Sequence, residues 1–258
     1  MATPVPLVLA ESDGSATTVL TLNRPEKRNA LNIALIEALC AAIEAAERVP
    51  AHRVLILRGA GPAFCAGLDL AEAADPERAH RSADGIARVL VLLSESRLVT
   101  IAAAHGAAIA GGAGLMGACD FAVAESGTLI GYPEPRRGLV AGMVMTFLRR
   151  QLGERDAREV LLGGELFPAE RAREIGLINR VAPKGGAMAE AGTFAASVLE
   201  GGPRAVEATK KLLASLWPRT VAKDIGEARA FHLKARHSSE AGEGIAAFLE
   251  KRPPRWPK

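Results

Sequence analysis

Between Leu98 and Cys119 the chain carries no charged side chain over 22 consecutive positions, and this constrains its fold more than any other feature. The stretch, LVTIAAAHGAAIAGGAGLMGAC, must be buried in a bilayer or in a protein core. Its five glycines, its many alanines, Thr100 and His105 leave it too weakly hydrophobic for a spanning helix. It reads instead as a buried strand, turn and helix of a soluble core. A chain of 258 residues can supply such a core, because folding at this size hides roughly 70–75% of the surface without disulfides or structural metal.

The same stretch contains Gly112-Ala113-Gly114-Leu115-Met116-Gly117, formally the G-x-G-x-x-G of dinucleotide sites, with Glu134 at about the expected distance downstream. The next strand is predicted to begin at Phe121. A βαβ crossover of roughly a dozen residues does not fit in that interval, so the dinucleotide reading fails. No G-x-S-x-G elbow, H-E-x-x-H helix or phosphate-binding G-x-x-x-x-G-K-[ST] loop occurs.

Composition narrows the classes further. With 32 basic and 29 acidic residues the net charge is +3 and dispersed, which predicts no nucleic-acid partner but suits a small anionic ligand. Cys40, Cys65 and Cys119 are odd in number and lack a C-x-x-C pair, which argues against a disulfide framework or zinc ribbon. They are expected as buried apolar residues in a reducing compartment. The opening MATPVPLVLAESDG has no basic n-region and too short an apolar run for a secretory signal, so a cytoplasmic protein without membrane attachment is expected. None of His52, His80, His105, His232 and His237 has a defensible metal-ligand spacing, so no metal site is expected; His105 reads as structural.

Along the chain, strands are expected at 16–22, 52–59, 98–104, 121–124 and 128–131. Leu31, Leu35, Leu39 and Ile43 recur at helical spacing, with Asn32 as cap and the helix starting at Ile33. Further helices are expected over 76–96, 143–152, 155–162, 169–175 and 187–200. Gly201-Gly202-Pro203 breaks the chain. Beyond it, helical patterns cover 204–216, 221–236 and 238–250. This predicts an α/β core at 1–200 and a helical C-terminal region at 201–258.

Three segments carry candidate chemistry. In Phe64-Cys65-Ala66-Gly67-Leu68-Asp69-Leu70 small residues let a ligand approach the backbone after a strand. In Ala110-Gly111-Gly112-Ala113-Gly114 a strand passes into a helix start, whose free N–H groups favour negative charge. Together the two loops could hold one oxyanion; taken singly, each is also an ordinary tight turn. Glu134 lies between Pro133 and Pro135, and Pro135 predicts an extended conformation for it. A rigid carboxylate after an apolar strand suits a positioned acid or base, and equally a surface glutamate paired with Arg136 or Arg137.

These segments, in this order, resemble the enoyl-CoA hydratase/isomerase (crotonase) family. The resemblance extends to Leu22-Asn23-Arg24-Pro25 with Asn29-Ala30-Leu31-Asn32, Cys119-Asp120, Gly138, Ala169–Ala172 with Gly176–Val181, and Glu243–Arg252. It implies a crotonase-like spiral of ββα units, a helical C-terminal region that forms trimers or hexamers, and an acyl-CoA thioester as ligand, with no cofactor beyond that coenzyme A. It places an oxyanion hole on the backbone N–H groups of Leu68 and Gly111 and the acid/base on Glu134. Ala66, Asp69, Leu70, Gly112, Gly114 and Tyr132 are implied around the substrate. Lys27 and Arg28, and less directly Lys251 and Arg252, are implied at the CoA phosphates.

The sequence departs from the family pattern at one point. Family hydratases use two glutamates; the second matches Glu134, and the first falls at Gly114, which has no side chain. A single carboxylate suffices to carry a proton between two carbons. The leading expectation is therefore isomerisation of 3-enoyl-CoA to 2-enoyl-CoA. Hydration of 2-enoyl-CoA is the alternative, and a non-catalytic acyl-CoA binder the alternative of another class.

Overall fold

The structure, a computed structural model, describes residues 5–256 except 13, 15, 74, 218 and 219. The first four residues of the opening segment thus lie outside the described residues. Among those described, strands β1 (Val8–Glu11), β2 (Thr17–Leu22), β3 (Val54–Gly59), β4 (Val99–Ala104), β6 (Phe121–Glu125) and β9 (Arg180–Ala182) form a sheet in that order. Only the β1–β2 pair is antiparallel. A smaller sheet joins β5 (Ala107–Ile109), β7 (Leu129–Gly131) and β8 (Leu166–Pro168).

Alternation along β3 explains why VLILRG is almost wholly apolar. Leu55 and Leu57 face the main core, which includes Leu35, Leu39 and Ile43 of α1 (Ile33–Glu47) and Val89, Leu90 and Leu93 of α3 (Pro76–Glu95). Val54 and Ile56 face a second cluster against Ala187, Ala191 and Ala195 of α8 (Ala187–Glu200). A parallel strand covered on both faces needs apolar side chains at successive positions. All three cysteines are buried; burial pushes the Cys40 thiol up to about 11 and those of Cys65 and Cys119 up to about 12.

The uncharged stretch forms β4, a turn, β5 and then α4 (Gly111–Ala118), so it holds one more strand than expected. β1, β8 and β9 were likewise not legible, being three- or four-residue strands too short to show an alternation. α1 begins at Ile33 as expected, where the Leu35 amide donates to Asn32 Oδ1 at 2.9 Å. Short α2 (Leu70–Ala73) brings Glu72 to the same helix end, its Oε2 accepting from the Ile33 amide at 2.7 Å.

The remaining helices are α5 (Gly142–Gln151), α6 (Glu154–Gly163), α7 (Ala169–Glu174), α9 (Pro203–Ser215), α10 (Val221–Arg236) and α11 (Ser239–Leu249). α10 packs against both α3 and α5, which brings the C-terminal region over the core. Among the described residues no helix is long and apolar enough to cross a membrane.

Candidate active site

The small sheet builds the site by joining segments distant in sequence. In the β5–β7 register Ile109 lies opposite Gly131, and the Ala110 amide donates to the Gly131 carbonyl at 2.8 Å. The start of α4 therefore stands beside the segment leading to Glu134. On its other side, Cys65 bridges to Ala108, its amide donating to Ala107 and its carbonyl accepting from Ile109, both at 3.0 Å. Leu68 bridges in turn to Leu31.

That second bridge orients the Leu68 amide. Leu31 donates to the Gly67 carbonyl at 2.7 Å and accepts from the Asp69 amide at 3.0 Å, so the Leu68 N–H points to the opposite side. Gly111 opens α4, where N–H groups have no intrahelical acceptor. Neither amide has an acceptor among the described residues. They are close together: a Cβ on Gly111 would stand 3.9 Å from the Leu68 nitrogen. Gly67 has φ +92°, and a Cβ there would press to 2.8 Å from the Ile109 carbonyl, so only glycine lets the two loops meet. Ala110 holds φ 52° and ψ −120°, an unfavourable backbone state for alanine that fixes how α4 starts.

Glu134 lines the same cleft as this pair, a space of about 490 Å³ including its open mouth, lined also by Leu70, Ile86, Val144 and His232. Glu134 is 8% exposed, and its Oε2 is buried with no hydrogen-bond partner. Burial raises its pKa to about 7, against a smaller opposing pull from Arg137. The surface-ion-pair alternative is overturned. Arg136 turns to Glu165 at 3.0 Å, and the Arg137 guanidinium lies 4.5 Å from the Phe248 ring centre.

The extended conformation expected for Glu134 is also wrong. It is helical (φ −51°, ψ −45°) because Pro135 opens a 3₁₀ turn closed by Gly138. Two amides, of Arg137 and Leu139, donate to the Glu134 carbonyl at 2.9 and 3.0 Å, which outweighs the usual effect of a following proline.

Leu68, Leu70, Gly111 and Glu134 thus meet in one cleft, while the other sequence-derived candidates lie outside its lining. The Ala66 amide is used by the Arg28 carbonyl at 3.0 Å. Asp69 pairs with Arg24 at 2.7 Å; burial would raise its pKa, but that partner and nearby backbone N–H groups hold it below the usual value. Gly112 packs α4 against the Cys65 carbonyl, which a Cβ would strike. Tyr132 is fully buried, with an unpartnered hydroxyl; burial and the neighbouring Glu134 charge both raise its pKa. Lys27 and Arg28 are exposed in the turn before α1. Arg252 is held by Glu243 at 2.7 and 3.0 Å and by Glu250 at 2.5 Å, so its guanidinium is committed within the chain; Lys251 beside it is exposed.

Gly114 is buried on the face of α4 that packs on α5, and a Cβ there would collide with Val144 Cγ1. Val144 therefore fills the space beside Gly114 and presents a hydrocarbon wall to the cleft. Sequence reasoning missed Val144, Arg137 as a lining residue, and His232. His232 Nδ1 lies 3.3 Å from the Val140 carbonyl, 92 positions away, and no local pattern announces that contact.

A buried carboxyl that shares a cleft with two amides lacking acceptors is an arrangement able to move a proton beside a carbonyl oxygen. The profile of the enoyl-CoA hydratase/isomerase family matches residues 13–258, and the chain belongs to that family. A Thermus thermophilus relative is 37% identical over 92% of this chain and 96% of its own. Enoyl-CoA hydratase EchA19 of Mycobacterium tuberculosis is 34% identical over 97% and 96%. The fold is that of crotonases: the crystal structure of an enoyl-CoA hydratase from Mycobacterium avium superposes with a TM-score of 0.84 at 36% identity, covering 98% of this chain and all of the other.

Proposed function

We propose that this enzyme isomerises a 3-enoyl-CoA to the conjugated 2-enoyl-CoA. The observation that carries the reading is a single buried carboxylate in the cleft lining, Glu134, with Oε2 unpartnered, where hydrophobic Val144 covers Gly114. The Leu68 and Gly111 amides hold the thioester oxygen as negative charge develops, each donor worth roughly 2.7–4 kcal/mol by analogy with other oxyanion holes. Ionised Glu134 takes a proton from the α-carbon, and the bonding pair moves into the dienolate. Protonated Glu134 then returns that proton to the γ-carbon, and the double bond is left in conjugation. A base with a pKa near the operating pH suits both halves of this transfer. The step needs no cofactor beyond the coenzyme A of the substrate. Lys27 and Arg28 supply positive charge for its phosphates.

Hydration of a 2-enoyl-CoA is the second reading, favoured by the names of relatives such as EchA19. Initial rates on matched 2- and 3-enoyl-CoAs, followed at the conjugated thioester absorbance, separate the two. Isomerisation is expected to be the faster; efficient hydration without isomerisation would make the enzyme a hydratase. Gly114→Glu alone is expected to lose activity, because the new side chain collides with Val144. Gly114→Glu with Val144→Ala makes room, and the double variant is expected to gain hydration over wild type.

The proposed assembly is a trimer, or a pair of trimers, formed through 201–258. Leu212, Leu213 and Leu216 at the end of α9 and Phe231 on α10 are exposed. Phe231 also lines a hollow between α5 and α10 of about 1,400 Å³, counting the solvent at its open mouth. Light scattering at micromolar concentration is expected to find three or six chains per particle; a single chain would refute this assembly.

A further inference from the structure

His232 on α10 is 5% exposed and lines the same cleft as Glu134, yet its Nε2 is buried with no hydrogen-bond partner. Its other ring nitrogen, Nδ1, is 3.3 Å from the Val140 carbonyl oxygen. A carbonyl only accepts, so that contact places the ring proton on Nδ1. Burial lowers the pKa of His232, and the Arg236 and Arg229 charges lower it further. The neutral ring therefore offers a bare lone pair at Nε2. The cleft lining also includes Ile86, Leu139, Ala141 and Met143, whose side chains donate nothing. A plain hydrocarbon chain in this space would offer that lone pair no donor.

The missing partner must be a donor. A carboxylate on the acyl chain has none, and a cationic amine at Nε2 would stand beside Arg236 and Arg229, whose charges already disfavour a cation on the ring. A neutral hydroxyl fits both conditions. We propose that the cleft selects CoA thioesters whose acyl chain bears a hydroxyl, away from the carbons between which the proton moves, and that this hydroxyl donates to His232 Nε2. The inference rests on the thioester reading of the cleft but not on which reaction follows.

The test uses saturated thioesters, which can be neither isomerised nor hydrated, so that binding is read without turnover. Calorimetry would compare 5-hydroxypentanoyl-, 6-hydroxyhexanoyl- and 7-hydroxyheptanoyl-CoA with their unsubstituted counterparts. At least one hydroxylated chain is expected to bind about tenfold more tightly than its partner, the worth of one such hydrogen bond in a site built for it. His232→Phe, checked for folding by circular dichroism, is expected to erase that ratio while retaining the plain chains. His232→Leu serves if the Phe variant does not fold. Ratios near unity across the wild-type series would overturn the proposal, and so would an unchanged preference in a folded variant. Those results leave the thioester reading standing, whereas failure of every thioester to bind would overturn both.

Discussion

Glu134→Gln is expected to lower kcat by at least about two orders of magnitude while leaving the affinity for a saturated acyl-CoA nearly unchanged, in keeping with the usual worth of a general base. Gln keeps the shape and size of the side chain but cannot take the α-proton. Wild-type turnover by a folded Gln variant would remove Glu134 from the mechanism. The raised pKa adds a second readout. Only the ionised carboxylate is a base, so kcat/KM should rise with pH up to an inflection near the free-enzyme value of about 7 and level off above it.

Stability should move in the opposite direction. Burial makes the folded protein bind the Glu134 proton more tightly than the unfolded chain does. The stabilisation from this group is complete below the ordinary carboxylate pKa and is lost as pH rises through about 7. Glu134→Gln lacks that loss, so urea titrations should show the variant gaining on wild type from acidic to mildly alkaline pH. A parallel pH dependence of the two proteins would mean that the carboxyl is not held protonated by the fold.

Asn29→Asp is expected to cost on the order of 3 kcal/mol or more at neutral pH, because one buried amide organises the loop in front of the cleft. Asn29 is fully buried with φ 55°. Its Nδ2 donates to the carbonyls of Ala60, Ala63 and Phe64 at 2.9, 2.8 and 3.2 Å, and its Oδ1 accepts from the Arg24 amide at 2.9 Å. Asp preserves the acceptor but replaces the donors with negative charge facing three carbonyl oxygens. Acidification protonates the new carboxyl and restores one donor, so the deficit against wild type should shrink at low pH. Denaturant unfolding across pH measures both effects; a loss below 1 kcal/mol would show that the loop holds itself without Asn29. Activity should fall with stability, since this loop carries the Leu68 amide.

Much of this protein is written locally. The 22 uncharged positions from Leu98 to Cys119 required burial, and too few residues separate Gly114 from Phe121 for a dinucleotide crossover. The spacing of Leu31, Leu35, Leu39 and Ile43, behind the cap at Asn32, placed α1 at its observed start. The ordered motifs carried the family, and the profile match over 13–258 agrees. These properties rest on periodicity, chain length and backbone chemistry, which neighbouring residues specify.

The environments of the candidate groups were decided only by tertiary structure. Whether Glu134 is a surface ion pair or a buried carboxyl depends on Arg136 turning to Glu165 and on the walls of the cleft. Asp69 carries a charge that Arg24, 45 positions away, occupies, and Arg252 is occupied by Glu243 and Glu250. The sequence showed that Gly114 lacks a carboxylate; the packing of α5 on α4 filled the space with Val144. His232 entered the cleft because α10 packs against α5, and the burial of its unpaired Nε2 follows from that contact. Burial, partner choice and pKa are set by atoms brought together across scores of residues, and no local pattern encodes that proximity.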